Sequence, residues 1–172
     1  GLCEALARQF LGAEVTPRAE HRYLELGLSR YLALGFLAQI EGQDRFEQEV
    51  IAAQEAALDA PYPLVGFDLE THGREALIAR AVSRLHLLRS AVGEAAFGAA
   101  LRDFVAQNRG RRTSSSDLQA SLELAAKQDL RPLFEDWIER PGDPAFVLAW
   151  RYESGSQEVY IEVEQTQETG PK

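Results

Sequence analysis

The sequence has a single cysteine, no methionine, and only 18 lysines and arginines against 27 acidic residues in a chain of 172. A lone cysteine excludes a disulfide within the chain. The formal net charge of −9 argues against nucleic acid or an anionic membrane surface as the main partner, because both bind basic patches. No apolar run reaches the ~18 residues that a membrane-spanning helix needs. These absences favour a globular chain whose partner is a protein or a peptide.

Apolar residues recur at helical spacing over most of the chain. They make up 45% of it, which is enough for one domain with a core. The pattern predicts helices over 2–12, from the Thr16-Pro17 pair to about 40, over 44–58 and 71–92, from there to about 108, over 114–127, and briefly after Asp129. The second of these is apolar nearly all round, so we expect it in the middle of the fold. Ser114 and Asp117 resemble a capping box.

The character of the sequence changes after Pro141 and Gly142. Two β-rich runs, 146–152 and 159–167, flank a glycine-containing turn and predict a hairpin. An isolated hairpin is only marginally stable. We therefore expect a mainly α-helical domain over 1–141 and, over 142–172, a hairpin that begins a truncated β domain.

The first thirty residues contain an ordered set of motifs. The stretch Glu-Ala-Leu-Ala-Arg-Gln-Phe-Leu-Gly (4–12) leads through Val-Thr-Pro (15–17) into Tyr-Leu-Glu-Leu-Gly-Leu-Ser (23–29). It resembles the aminopeptidase N family of zinc metallopeptidases (gluzincins, peptidase family M one). In that family His-Glu-x-x-His-Gln-Trp-x-Gly leads through Val-Thr-Pro into Trp-Leu-x-Glu-Gly-Phe-Ala.

Further matches to this family follow in the family's order. They lie at 87–97, 101–105, 117–120 and 133–144. The resemblance therefore covers nearly the whole chain. It implies the helical lobe of a thermolysin-like peptidase domain, equivalent to the C-terminal helical half of the catalytic domain. It also implies that the short antiparallel hairpin begins a β-sandwich domain.

The residues that would perform the family's chemistry are replaced. Glu4 and Arg8 stand where the family has its two helical histidines, and Leu26 takes the place of the third zinc ligand. Ala5 replaces the catalytic glutamate, and Ile78 falls where a tyrosine steadies the tetrahedral intermediate. A guanidinium has no lone pair for a metal, and neither leucine nor alanine can bind zinc or accept a proton. The resemblance thus implies degenerate positions, with no catalytic residue, no metal ligand and no cofactor.

Two functions stay open at this point. The first is a non-catalytic, peptidase-like domain that serves as a scaffold or a protein-interaction module, as in some relatives of the family. The second is a domain of a zinc aminopeptidase-like hydrolase with residual or altered peptide hydrolysis, which would require zinc. The lost ligands and base favour the first. The sequence starts at Gly1, almost at the beginning of the helix that would bind zinc. We therefore also expect a piece of a longer protein, with the rest of the parent chain as a neighbour.

The spacing of Glu4 and Arg8 suggests its own explanation. They are i and i+4 with the acid on the N-terminal side, the better order for a helical ion pair. We hypothesise that this pair fills the space of two histidines and a zinc ion; the alternative is two unrelated surface charges. Cys3, next to it, is expected to be a buried core thiol.

Several other polar residues have two interpretations. A rebuilt zinc site would need long-range convergence of His21, His72 and His86, because no two of them are four residues apart. Ser114–Ser116 are expected to cap a helix rather than act as nucleophiles. Arg109–Arg112 form either a solvated turn or a contact for an acidic partner, and Tyr62 and Phe67 either cover the core or form a recognition lip.

Overall fold

The computed structural model describes residues 2–58 and 61–166 of the chain. The α-helices are α1 (Leu2–Arg8), α2 (Tyr23–Glu41), α3 (Gln43–Leu58), α4 (Leu69–His72), α5 (Arg74–Val92), α6 (Glu94–Asn108), α7 (Ser115–Ala126) and α8 (Arg131–Phe134). The strands are β1 (Thr16–Pro17), β2 (Arg112–Thr113), β3 (Phe146–Glu153) and β4 (Glu158–Gln165). Wider π-type turns extend α1 and α8, over Gln9–Glu14 and Glu135–Glu139. The predicted fold class, a helical body followed by a short antiparallel hairpin, is confirmed.

Helices α2 and α5 form the centre of the helical body. Tyr23 and Leu28 of α2 and Leu77 and Leu85 of α5 are fully buried. The two helices cross closely, because a Cβ atom added at Gly27 would lie 2.1 Å from the Cβ of Ala81. Only a residue without a side chain fits at this crossing. As expected for a helix that has apolar residues on nearly all sides, α2 lies in the middle of the fold.

We expect Gly27→Ala to destabilise the protein by about 2 kcal/mol, since the new methyl group forces two packed helices apart. Gly35→Ala is the matched control in the same helix, because a Cβ there would meet no atom within 4 Å. That control should stabilise the helix by about 0.5–1 kcal/mol. Urea denaturation of both variants measures the difference. Equal midpoints for the two variants would contradict a tight crossing.

Two buried arginines of α5 hold the segment that leads into the hairpin. Arg80 is fully buried and Arg84 is 4% exposed. Arg80 donates hydrogen bonds to Asp143 Oδ2 at 2.9 Å and to the Gly142 carbonyl at 2.8 Å. Arg84 donates to the other carboxylate oxygen of Asp143, and its guanidinium lies 4.6 Å from the ring centre of Trp137. Buried charges are tolerated only when paired, so this cluster fixes the residues between α8 and β3.

We expect Asp143→Ala to lower the free energy of unfolding by about 3 kcal/mol or more, because it leaves two buried guanidinium groups without a counter-charge. Asp129→Ala provides the matched control. Asp129 also pairs with an arginine, Arg131 at 3.2 Å, but both side chains are more than half exposed. Such a pair contributes little, and the hydrogen bond that Asp129 Oδ1 accepts from the Arg131 N–H at 2.9 Å contributes about 1 kcal/mol. Chemical denaturation that ranks the two variants equally would show that the buried cluster is not a determinant of stability.

Three predicted helix boundaries are wrong. Thr16–Pro17 does not start α2 but forms β1, which pairs in parallel with β2. The N–H of Arg18 donates to the Thr113 carbonyl at 2.9 Å, and α2 begins only at Tyr23, after a 3-10 turn. A residue that precedes proline favours an extended backbone, which suits this bridge.

The other two errors concern glycines. Gly12 does not end the first helix, which continues as a π-type turn to Glu14. The predicted 71–92 helix is divided by Gly73, whose φ of 80° interrupts the helical backbone between α4 and α5. In contrast, the capping box at Ser114 is confirmed: its N–H donates to Asp117 Oδ2 at 2.8 Å.

The hairpin has one apolar face. In its register Leu148 lies opposite Val163 and Trp150 opposite Ile161, whereas the intervening pairs place glutamates on the other face. Trp150 is 74% exposed and Ile161 67%. The helical body therefore leaves this face uncovered. The predicted strand residue Gln167 and all that follow it lie outside the described residues.

Among residues 2–58 and 61–166, no helix combines the length and the apolar character that a membrane span requires.

Candidate functional site

The two helical positions at which the resemblance implies lost histidines form an ion pair. Arg8 Nη2 donates to Glu4 Oε1 on the preceding turn of α1. The predicted Glu4–Arg8 pair is therefore present in the structure. A second guanidinium, that of Arg74 at the start of α5, lies 3.4 Å from the same carboxylate oxygen. Glu4 is thus held between two cations, with its side chain only 16% exposed.

The remaining predicted positions are hydrocarbon. Leu26 is buried in α2, directly before the glycine of the α2–α5 crossing. Ile78 is 9% exposed and lies on the face of α5 that includes Arg74, since the two are four residues apart. Ala5 is exposed on α1. The structure therefore brings charged residues of α1 and α5 together and presents no proton acceptor at position 5.

A second polar cluster joins α2 to α7. Ser115 Oγ lies 2.9 Å from His21 Nδ1 and 2.9 Å from the Tyr23 hydroxyl. The Ser115 N–H also donates to His21 Nδ1, at 3.3 Å, so this nitrogen acts as an acceptor. Burial lowers the pKa of His21 and raises that of Tyr23, which keeps the imidazole neutral and the phenol protonated.

This cluster was not predicted, and it corrects one expectation. Ser114 caps the helix as predicted, but its neighbour Ser115 is bonded to a histidine that is 94 residues away in sequence. Ser115 is only 1% exposed. Because a substrate cannot reach a nucleophile that is sealed in this way, the cluster ties the start of α2 to the start of α7.

A third cluster surrounds His86 on α5. The Tyr31 hydroxyl and His86 Nδ1 share a hydrogen bond of 3.1 Å, and the rings of Tyr31 and Phe46 pack against the imidazole. Burial, and then the charge of Arg89, lower the pKa of His86 below its usual 6.5. Sequence spacing contains no signal for this contact, which links residues 55 apart.

The third histidine contributes to the loop that covers the core. Tyr62 stacks on His72 with ring centres 3.7 Å apart, and Phe67 meets both rings edge-on. Leu64, between them, is buried, and its N–H donates to the Ile138 carbonyl at 2.9 Å. Of the two interpretations of this loop, the structure therefore supports a cover for the core.

Two further expectations concern a metal site. Cys3 is half-buried rather than a core thiol, because α1 has no fully buried residue. The three histidines lie in three different clusters. Over residues 2–58 and 61–166, no group of three or more histidine, cysteine, aspartate or glutamate side chains is arranged to hold a metal ion.

We expect the protein to lose stability as the pH falls below about 6.5, because the unfolded chain, in which His86 has its ordinary pKa, then binds more protons than the folded one. His86→Gln keeps an acceptor for Tyr31 and should reduce this loss. His72→Gln makes the same change away from the cluster. The measurement is the urea midpoint of each variant at about pH 7.5 and about pH 5.5. An unchanged pH dependence in the His86 variant would contradict the assignment.

Similarity to known proteins is found among solved structures. No protein-family model and no curated protein matches the sequence. An aminopeptidase A from Legionella pneumophila in complex with aspartic acid superposes with a TM-score of 0.76 at 16% identity, over 95% of this chain and 19% of that chain. At this identity the match shows the fold alone.

An M1 zinc metallopeptidase from Deinococcus radiodurans is more similar in sequence. Its crystal structure matches with a TM-score of 0.69 at 25% identity, over 83% of this chain and 33% of that chain. A mutant of this enzyme bound to the substrate Tyr-Ser-Ala matches with a TM-score of 0.71 at 26% identity. This chain spans about one third of the length of these enzymes. It is therefore a peptidase-like domain with the fold of the helical lobe of the M1 zinc metallopeptidases.

Proposed function

We propose that this chain is a non-catalytic, aminopeptidase-like domain that acts as a scaffold or a protein-interaction module and has lost its zinc site and general base. The observation that supports this most is the engagement of Glu4 by two guanidinium groups, from Arg8 and Arg74. Glu4 and Arg8 occupy two of the three positions at which the resemblance would require metal ligands, and Arg74 reaches the first of them from α5.

Zinc does not fit the side chains at these positions. A catalytic zinc ion needs three ligands with lone pairs and an open position for water. Arg8 and Arg74 offer only hydrogen-bond donors and repel a dication, while Leu26 offers only hydrocarbon. The single carboxylate, Glu4, is already neutralised by the two cations.

The chemical groups that would act beside the metal are also missing at the proposed positions. Ala5 cannot take a proton from water, so it cannot replace a general base. Ile78 has no hydroxyl to donate to a developing oxyanion. The buried His21–Ser115 contact does not substitute for them, because Ser115 is sealed from solvent.

The alternative is a domain of a zinc aminopeptidase-like hydrolase with residual or altered peptide hydrolysis. It is favoured by one observation, namely that the similar solved structures are zinc metallopeptidases. This chain spans only 33% of that enzyme's length. Ligands for zinc would then have to come from outside the matched segment.

The division of the chain into 1–141 and 142–172 is part of this proposal. We propose that the hairpin begins a β-sandwich domain, because its apolar face is open and a two-stranded sheet needs a covering layer to be stable. The buried arginines that hold Gly142 and Asp143 would then fix this β domain to the helical body.

We expect a zinc-to-protein ratio near zero when the protein is incubated with one equivalent of zinc, desalted and measured by elemental analysis. Hydrolysis of aminoacyl and tripeptide substrates should stay at the buffer rate. The reason is the lack of a lone-pair donor at two of the three ligand positions. A ratio near one, or zinc-dependent hydrolysis, would overturn the proposal in favour of the hydrolase.

A restored site gives the matched positive control. The triple variant Glu4→His, Arg8→His and Leu26→Glu should retain more zinc than the double variant that keeps Leu26, if these three positions converge. Circular dichroism identifies variants that have lost their fold. Equal zinc retention by two folded variants would show that Leu26 is not the third position.

A further inference from the structure

Two adjoining cavities lie along α2 and α6, and we call them together the groove. Their volumes are about 630 and 560 Å³, and both are lined by Leu32, Gly98, Leu101 and Arg102, so they meet at these residues. One end is lined by the C-terminal half of α2 and the start of α6, and the other end by Leu28 of α2, the end of α6 and part of α1. The two flanking helices therefore run in opposite directions along the groove.

The floor of the groove is apolar and its small residues allow close approach. Leu28 and Leu101 are buried at its floor. Gly35 and Gly98 line its walls and have no side chains, so a bound segment can approach the backbone there. Apolar side chains are nevertheless exposed along it: Phe36 is 52% exposed and Leu32 37%. Such a surface is the kind that receives the apolar face of an amphipathic helix.

The charge of the groove is opposite to that of the whole chain. The protein has a net charge of −9. Among the described residues, the charged side chains that line the groove are Arg89, Arg102 and Arg109 against the single acid Glu94. Arg89 pairs with Glu94 at 2.9 Å and Arg109 with Glu14 at 2.9 Å. Arg102, at the midpoint, has no ion pair within the described part of the chain.

We propose that this groove binds an amphipathic helix of a protein partner whose apolar face meets Leu32 and Phe36 and whose flanking acidic residues pair with Arg102. The inference rests on the proposed function, since it specifies the interaction surface of a non-catalytic module. The α2 side of the groove extends from Leu28 to Gln39, roughly 16 Å at 1.5 Å per residue. That length fits about three turns, or roughly 11 residues, of the bound helix.

The test uses two synthetic helical peptides of about 14 residues, with leucines at i, i+3, i+4 and i+7 and either glutamates or lysines on the flanks. Fluorescence anisotropy measures the affinity of each. We expect the glutamate peptide to bind about tenfold more tightly than the lysine peptide at low salt, and the difference to shrink as salt is added. Arg102→Glu should reverse the preference.

The chain offers matched controls for both kinds of contact. Phe36→Ala should weaken binding of the glutamate peptide about tenfold, whereas Ile51→Ala, at a residue of α3 that is equally exposed, should not. Arg18→Glu makes the same charge reversal as Arg102→Glu at an exposed arginine outside the groove. It should leave the preference unchanged.

Three results would overturn the proposal. The first is equal binding of the two peptides, or no binding of the glutamate peptide at millimolar concentration. The second is binding that Arg102→Glu and Phe36→Ala alter no more than their controls do. The third is a dimer in sedimentation velocity that Phe36→Ala dissociates, which would assign the groove to a second copy of this chain.

The failure of this inference is distinguishable from that of the proposed function. Zinc content and peptide integrity, by mass spectrometry, are measured on the same preparation. A protein without zinc that leaves both peptides intact and binds neither retains its non-catalytic role and loses only the groove. A protein that holds zinc and cleaves the peptides loses the proposed function.

Discussion

The close crossing of α2 and α5 at Gly27 and Ala81 is the constraint on which the other contacts depend. Because the two backbones are in close contact there, the orientation of α5 is fixed, and each of its faces lies against a defined neighbouring element. Its first turn places Arg74 beside α1. About two and three turns later, Arg80 and Arg84 reach the residues that lead to the hairpin. A small shift at the crossing would move all three arginines relative to their partners, so packing here determines the electrostatics elsewhere.

The features that the sequence predicted correctly are local. The Glu4–Arg8 pair and the capping box of Ser114 and Asp117 join residues three or four apart, and the hairpin follows from alternation with a period of two. In each case the geometry of one helix or strand pair suffices to bring the groups together. The ion pair of α1 is predictable from residue spacing alone for the same reason.

The features that escaped prediction join distant parts of the chain. His21 meets Ser115 across 94 residues, and Arg80 meets Asp143 across 63. Neither contact has a periodic signature in the sequence. Residues of these types are also common on protein surfaces, so their presence does not indicate a buried contact. The pairing of β1 with β2 was not predicted, for a related reason. A Thr-Pro pair suits both a helix start and an extended segment, and only the distant partner decides between them.

We propose that Glu4 and Arg8 occupy former zinc-ligand positions. On that proposal, the source of positive charge at this point differs between a zinc enzyme and this chain. In a zinc site of this family, neutral histidines and one carboxylate hold an ion of charge +2, which attracts the ligands that surround it. Here Arg8 and Arg74 supply two positive charges from the chain itself, around a single carboxylate. The attraction between α1 and α5 then comes from these side chains, and a dication at Glu4 would have to displace both guanidinium groups. Loss of the metal and retention of the helical fold are therefore compatible, because side chains already present satisfy the carboxylate.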